Sequence, residues 1–134
     1  MRFYNILLLT TTLTYSQINP KNIDIVRDQY GIPHIFAKTD AELAYGLAWA
    51  NAEDDFNTIQ EAYLAGNAML SKHIGLKGAP ADFITQFIGS KELIDEKIGE
   101  ISNDYLKVIS AYAEGLNSFA KKNPEKVLHK KLFP

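Results

Sequence analysis

The sequence predicts an α+β fold in which an N-terminal β-hairpin is followed by mostly helical segments. Three observations carry that prediction. Residues 22–27 alternate β-branched with polar side chains and lead through a turn into a second extended run. Thr39 and Glu42 stand three apart at the head of a long stretch without proline. Tyr105, Ile109, Tyr112, Leu116 and Phe119 recur at i, i+4, i+7, i+11 and i+14, which is one face of a helix.

The N-terminus is read as a targeting segment. Arg2 is the only charge before Lys21, and an apolar run from Ile6 to Leu9 continues through threonines to Leu13. A basic start, a short apolar run and small residues at a cleavage point are the marks of a secretory signal. Thr14-Tyr15-Ser16 fits the small-x-small rule, so residues 1–16 are expected to be a signal peptide and residues 17–134 an exported chain, periplasmic or secreted. The run is shorter than the roughly 20 residues a membrane span needs, and no span is expected.

In Asn22–Arg27, Ile23 and Ile25 fall on one side and Asp24 and Val26 on the other, as in a short strand. Asp28-Gln29-Tyr30-Gly31 is a turn, with Gly31 free to take a positive φ. Ile32–Ala37 resumes the extended chain, and Pro33, lacking an N–H, belongs at a strand start or edge. Thr39 caps the next helix, which continues without proline towards Leu70, with Gly66 as a place for it to end. Leu43, Leu47 and Ala50 recur at helical spacing, while Tyr45, Trp49, Phe56 and Tyr63 supply bulk. Ala41, Ala44, Ala48 and Ala52 make a small-residue ridge suited to close helix packing. Gly46, unfavourable in a helix by about 1 kcal/mol against alanine, fits a close neighbour. Lys77–Ala81 reads as a loop, Asp82 as the cap of Phe83–Ile88, and Glu92–Ile98 as a short helix ended by Gly99. Ser102 caps the amphipathic helix, and Asn123-Pro124 stops it. The basic, sparse tail ending on Leu132-Phe133-Pro134 suggests a domain cut short.

Composition narrows the function. The chain has 134 residues, of which 46% are apolar and 22% charged, with a net charge of −2, so neither disorder nor nucleic-acid binding is indicated. The length fits one domain at most, or a piece of a larger one. Without cysteine there is no disulfide, thiolate nucleophile or cysteine zinc site. Gly89-Ser90 lacks the G-x-S-x-G context of a nucleophile elbow, and Ser90 has a sufficient role as a helix cap. His34, His73 and His129 lie far apart, without metal-ligand spacing. Glu53-Asp54-Asp55 cannot all share a helix face, since successive residues are about 100° apart. One of the three can turn inward and pair with Arg27 or a lysine, fixing the helix against the hairpin; otherwise the cluster is a solvated acidic stripe. No residue is assigned as catalytic, substrate-binding or metal-ligating.

Three blocks, in order, resemble a known family. Val26–Ile35 (VRDQYGIPHI), Ala44–Ala50 with Ala52-Glu53-Asp54 (AYGLAWA, AED) and Tyr112–Asn117 (YAEGLN) look like the opening of the α chain of penicillin acylases. The resemblance spans about residues 22–134. Asp54-Asp55-Phe56 with Thr58-Ile59-Gln60 departs from the penicillin G type, which tends to carry arginine where Asp55 stands, and looks closer to the branch acting on lipopeptides and acyl-homoserine lactones. The resemblance implies an exported precursor of an N-terminal-nucleophile amidase with an αββα sandwich, of which this chain would be a partial piece. It also implies a partner, the β chain of the same precursor, which begins with the serine nucleophile, and a small-molecule N-acyl substrate. No cofactor is implied in this chain, while calcium is allowed in the full-length enzyme, held mostly by the β chain. Alone, the chain would be inactive. A different class of function, a complete and non-catalytic secreted helical module binding a partner through a Tyr45/Trp49/Phe56 surface, is the alternative.

Overall fold

A computed structural model describes residues 18–128. The 1–16 signal segment and His129 lie outside them. The chain enters through a 3-10 turn, Pro20–Asn22, and forms strands β1 (Asp24–Arg27) and β2 (Pro33–Phe36). They pair antiparallel, with Ile25 opposite Ile35 and Arg27 opposite Pro33, as expected for the hairpin. Each strand is shorter than the extended run in the sequence. Asn22 and Ile23 belong to the 3-10 turn and its cap, because the Asn19 side chain holds the Lys21 N–H there. In the connecting loop Asp28 Oδ1 accepts from the N–H groups of Tyr30 at 2.8 Å and Ile32 at 3.0 Å. Gly31 has φ 81°, the left-handed conformation this closure requires.

Helix α1 (Asp40–Gly66) opens on the expected capping box, with Thr39 and Glu42 exchanging side-chain and backbone bonds. Glu42 does more than cap. Its Oε1 also accepts from the Asn22 amide at 3.1 Å, tying the entrance of the hairpin to the helix start. The helix is not continuous. Asp55 has φ −154° and ψ 76°, an extended residue inside it. The Asp55 carboxylate accepts from the Thr58 N–H at 3.1 Å and the Thr58 hydroxyl at 2.6 Å, so it acts as the N-cap of a second helical segment. The helix ends at Gly66, the place the sequence offered, and Ala68, at φ 52°, lets the Met69 N–H reach the Leu64 carbonyl at 2.7 Å.

Three short elements follow: α2 (Ser71–Ile74), a 3-10 turn (Gly75–Gly78) and α3 (Ala79–Ile88). Asp82 does not cap its own helix. It is buried and accepts from the N–H groups of Leu70 at 2.7 Å and Ser71 at 2.9 Å, capping α2 across space. Ala79–Ala81, read as loop, already belong to α3, because proline in a first turn costs no hydrogen bond. Helix α4 (Ser90–Lys97) starts earlier than expected, with Gly89 as its N-cap residue. Ser90 is therefore the first helical residue and makes no capping bond. Helix α5 (Asn103–Lys122) begins at Ser102, whose Oγ accepts from the Tyr105 N–H at 3.3 Å, and stops at Asn123 as expected.

The core lies between α1 and α5. The alanine ridge is buried at Ala44, Ala48 and Ala52. Gly115 approaches it so closely that a Cβ there would lie 2.5 Å from the Tyr45 carbonyl oxygen. This contact sets the buried side of α5, Ala111, Gly115 and Phe119, which takes in the C-terminal end of the apolar stripe, with Leu116 packed against the core. Tyr105 and Ile109 remain 65% and 49% exposed, and Leu43 and Leu47 also face outward. Small side chains line the seam because the helices meet there almost backbone to backbone. Gly46 has the close neighbour its cost implied: Cγ2 of Ile35 and of Ile23 would lie within 3 Å of a Cβ. At the lower end of the seam Trp49 and Phe56 meet Phe119 edge-on, with ring centroids 5.3 and 5.1 Å away.

Candidate functional site

The chemistry-bearing residues that the structure brings together sit where the hairpin meets the break in α1. Arg27 ends β1, and the turn places its guanidinium beside its own hairpin loop, where one nitrogen donates to the Gly31 carbonyl at 2.8 Å. The other reaches α1 just before Asp55. It lies 2.8 Å from Asp54 Oδ1 and 3.2 Å from Glu53 Oε2, and donates to the Ala50 carbonyl at 3.5 Å. Glu53 also accepts from the Trp49 indole N–H at 2.8 Å. These carboxylates, Glu53 first, raise the pKa of Arg27.

The expected pairing of the acidic cluster with Arg27 is therefore present, and it does fix the helix against the hairpin. It involves two acids, not one, and neither is buried: their side chains are 41% and 54% exposed. The guanidinium itself stands on the solvent side of the junction, 32% exposed. Only Asp55, after both acids, leaves helical geometry, so Glu53 and Asp54 still diverge by about 100° and their side chains reach one solvent-side guanidinium placed between them. Asp55 caps the next segment, and its carboxyl is held below its ordinary 3.8, chiefly by the Thr58 hydroxyl.

An open cleft of about 600 Å³ lies beside this junction, between Ala52–Asn57 on one side and Glu125–Leu128 on the other. On its lining Glu53 and Asp54 pair with Arg27, and Asp55 bonds Thr58. The remaining titratable candidates do not converge on it. His34 Nε2 lies 3.4 Å from Asp28, and His73 Nε2 lies 3.7 Å from Glu61. Among the described residues no group of three or more His, Cys, Asp or Glu is placed to hold a metal. Ser90 stands in the first turn of α4. The arrangement around Arg27 ties secondary structure together: a guanidinium saturated by carbonyl and carboxylate oxygens holds β1, its turn and α1 in one geometry. The Tyr45/Trp49/Phe56 surface of the binding-module alternative is not a surface. Tyr45 and Phe56 are buried and Trp49 is half-buried, because α5 lays Phe119 against the aromatic pair and Gly115 against Tyr45.

The sequence gives no hint of what Gln60 does in the fold. Gln60 is 3% exposed, and its amide meets the backbone of Lys126 and Leu128. Its only sequence signal is a polar side chain four residues after a buried phenylalanine.

Comparison with known proteins adds a consistent set of likenesses. A family model described as penicillin amidase matches residues 22–133. The chain is 29% identical over 111 residues to penicillin G acylase of Escherichia coli, which covers 81% of this chain and 13% of that protein. It is 33% identical to aculeacin-A acylase of Actinoplanes utahensis over 57% of this chain and 10% of that protein. It is 26% identical to the acyl-homoserine lactone acylase PvdQ of Pseudomonas putida over 66% of this chain and 13% of that protein. The chain thus spans about an eighth of the length of these relatives. Among solved structures, thermostable penicillin G acylase from Alcaligenes faecalis matches with a TM-score of 0.69 at 23% identity. That match covers 84% of this chain and 58% of that one, and it shows a shared fold.

Proposed function

The chain belongs to the penicillin amidase family, and we propose that it is the opening segment of an exported acylase that hydrolyses the carbon–nitrogen bond of an N-acyl amide. The observation that carries this reading is the family match across residues 22–133, nearly all of the described chain. In this reading the segment is scaffold. The Arg27 junction and the α1–α5 seam hold the hairpin and the long helices in the relative positions that the rest of the enzyme builds on.

The reacting groups would belong to a β chain of the same precursor, released by self-cleavage. Its first residue would be a serine whose free α-amine serves as the base for its own hydroxyl, so that no histidine is needed. Oriented amide donors would stabilise the oxyanion of the tetrahedral intermediate. Water then releases the acyl group as a carboxylic acid, after the amine has left. The substrate would be a linear amide with an apolar acyl chain, such as an acyl-homoserine lactone or the side chain of a β-lactam. The β chain would cover the apolar side chains that α3 and α4 leave exposed, Phe83, Phe87, Leu93 and Ile94 among them, and the sandwich would be completed by its sheets. Calcium, where used, would be held outside this chain, and the periplasm would be the working compartment.

The test is to read the coding DNA past the Pro134 codon and express the continued frame. The expected product releases amine from a phenylacetyl or fatty-acyl amide and loses that activity when the new N-terminal serine is replaced by alanine. The 134-residue chain alone should release none. A stop codon after Pro134, or a long product inert towards every N-acyl amide tried, would overturn the proposal.

A further inference from the structure

We infer that Gln60 is the latch of a strap, residues 124–128, which closes the end of the aromatic core and sets the direction in which the chain leaves α5. After Asn123 the backbone makes a 3-10 turn, Pro124–Lys126, and doubles back towards the second segment of α1. There Gln60 Nε2 donates to the Lys126 carbonyl at 3.0 Å, and Gln60 Oε1 accepts from the Leu128 N–H at 2.9 Å. One planar amide therefore reads an acceptor and a donor of the same backbone segment, as a neighbouring strand would. A third bond, from Nε2 to the Phe56 carbonyl at 3.2 Å, aims the side chain from its own helix.

Two further contacts lie under the strap. Val127 packs against the Ala52–Phe56–Phe119 cluster, and the Lys126 ammonium stands 5.2 Å from the centroid of the Phe119 ring. Gln60 is buried, so when the strap lifts, its amide loses two partners at a site where water must enter to replace them. Latch and apolar contact are thereby coupled, and the strap opens as one unit. Recognition is through backbone atoms of the strap, so the side chains of Lys126 and Leu128 contribute no part of the latch itself. Gln60 acts as a positioning residue, and the inference rests on no reading of the reaction.

The experiment uses the whole 134-residue chain. Hydrogen exchange at the Leu128 amide and tryptic cleavage after Lys126 both report strap opening. In the parent the Leu128 amide should exchange at least about tenfold more slowly than in a free peptide, and Gln60→Leu, of similar volume, should accelerate both processes about tenfold. Tenfold corresponds to about 1.4 kcal/mol of opening free energy. Exchange within α5 and the helical circular dichroism should stay as in the parent. Gln60→Glu, which keeps the acceptor for Leu128 but sets a carboxylate oxygen against the Lys126 and Phe56 carbonyls, should accelerate both at least as much as Gln60→Leu. A parent Leu128 amide that exchanges at the free-peptide rate overturns the latch even if Gln60→Leu fails to fold. So does a folded Gln60→Leu with both rates unchanged.

Discussion

Replacing Gly115 by alanine should destabilise the chain although alanine is the better helix former. The added Cβ would sit 2.5 Å from the Tyr45 carbonyl oxygen and 2.8 Å from Ala48 Cβ. Relaxed heavy-atom contacts of carbon lie at about 3.5–4.0 Å, so the helices would have to part by roughly 1 Å. Neither atom can swing aside, since one is backbone and the other is fixed to it. Overpacking of this kind costs about 1–3 kcal/mol, and the immovable neighbour places Gly115 in the upper half of that range. Alanine recovers about 1 kcal/mol of helix propensity, which leaves a net loss of about 1 kcal/mol or somewhat more. Two other glycines of α1 calibrate the result. A Cβ at Gly66 meets nothing within 4 Å, so Gly66→Ala should be neutral or stabilising by up to about 1 kcal/mol. At Gly46 the obstacles are the Cγ2 methyls of Ile35 and Ile23, on a two-stranded hairpin that can shift, so Gly46→Ala should fall between the two. Urea unfolding at 25 °C, followed by circular dichroism at the helical minimum, ranks the three. If Gly115→Ala is as stable as the parent, the close seam does not govern the packing of α5.

Three further outcomes are expected. Ala68 holds a left-handed conformation at φ 52°, where an L side chain is strained by about 1–2 kcal/mol, so Ala68→Gly should raise the urea midpoint despite the extra freedom glycine brings to the unfolded chain. Asp82 and Glu42 are held below their ordinary 3.8 and 4.5, chiefly by the Ser71 hydroxyl and the Asn22 amide respectively. The folded state therefore binds those protons less readily than the unfolded one. Their contribution is complete above the ordinary carboxylate range and is lost as the pH falls through and below it. The urea midpoint should drop between about pH 6 and about pH 3, and Asp82→Asn should show a shallower drop from a lower starting point. Arg27→Lys replaces a planar fork with a point charge that cannot hold Gly31, Glu53 and Asp54 together. The Glu53 carboxylate is then freer to move away from the Trp49 indole, and the fluorescence of this only tryptophan should change while the helical signal persists.

The hairpin and the two long helices were legible because their signals are local. A capping box, a glycine turn and an Asn-Pro stop each act within four residues, and each holds in the structure. What failed needed a partner distant in sequence. Asp82 reads as a cap for the nearest helix, yet its burial against α2 gives it the N–H groups of Leu70 and Ser71, twelve and eleven residues back. The apolar stripe of α5 predicted the helix and the burial of Phe119, but its N-terminal members Tyr105 and Ile109 stay exposed. Periodicity finds the wettest and driest directions of an isolated helix, whereas the seam is chosen by where a neighbour can come closest, which here is Gly115. The role of Gln60 was invisible for the same reason: its partners are 66 and 68 residues away and are backbone atoms, which no side-chain pattern records.

The acidic triplet marks the boundary between these two kinds of information. In sequence it is three like charges in a helix, which repel and point in different directions. In the structure Asp55 caps towards Thr58, a bond that competes with continuing the helix because a short carboxylate bonds readily to backbone two or three residues on. Once Asp55 takes that role, the first segment ends just before it, its last carbonyls lose their intrahelical donors, and a cation there becomes favourable. Arg27 supplies that cation and donates to the Ala50 carbonyl while pairing with Glu53 and Asp54. The break therefore accounts for a cation at this helix end and, through Arg27, for the docking of the hairpin. Asp55→Ala tests that order of causes: the helix should then run straight through position 55, whereas a break that persists without its cap would mean that the hairpin bends the helix and not the reverse.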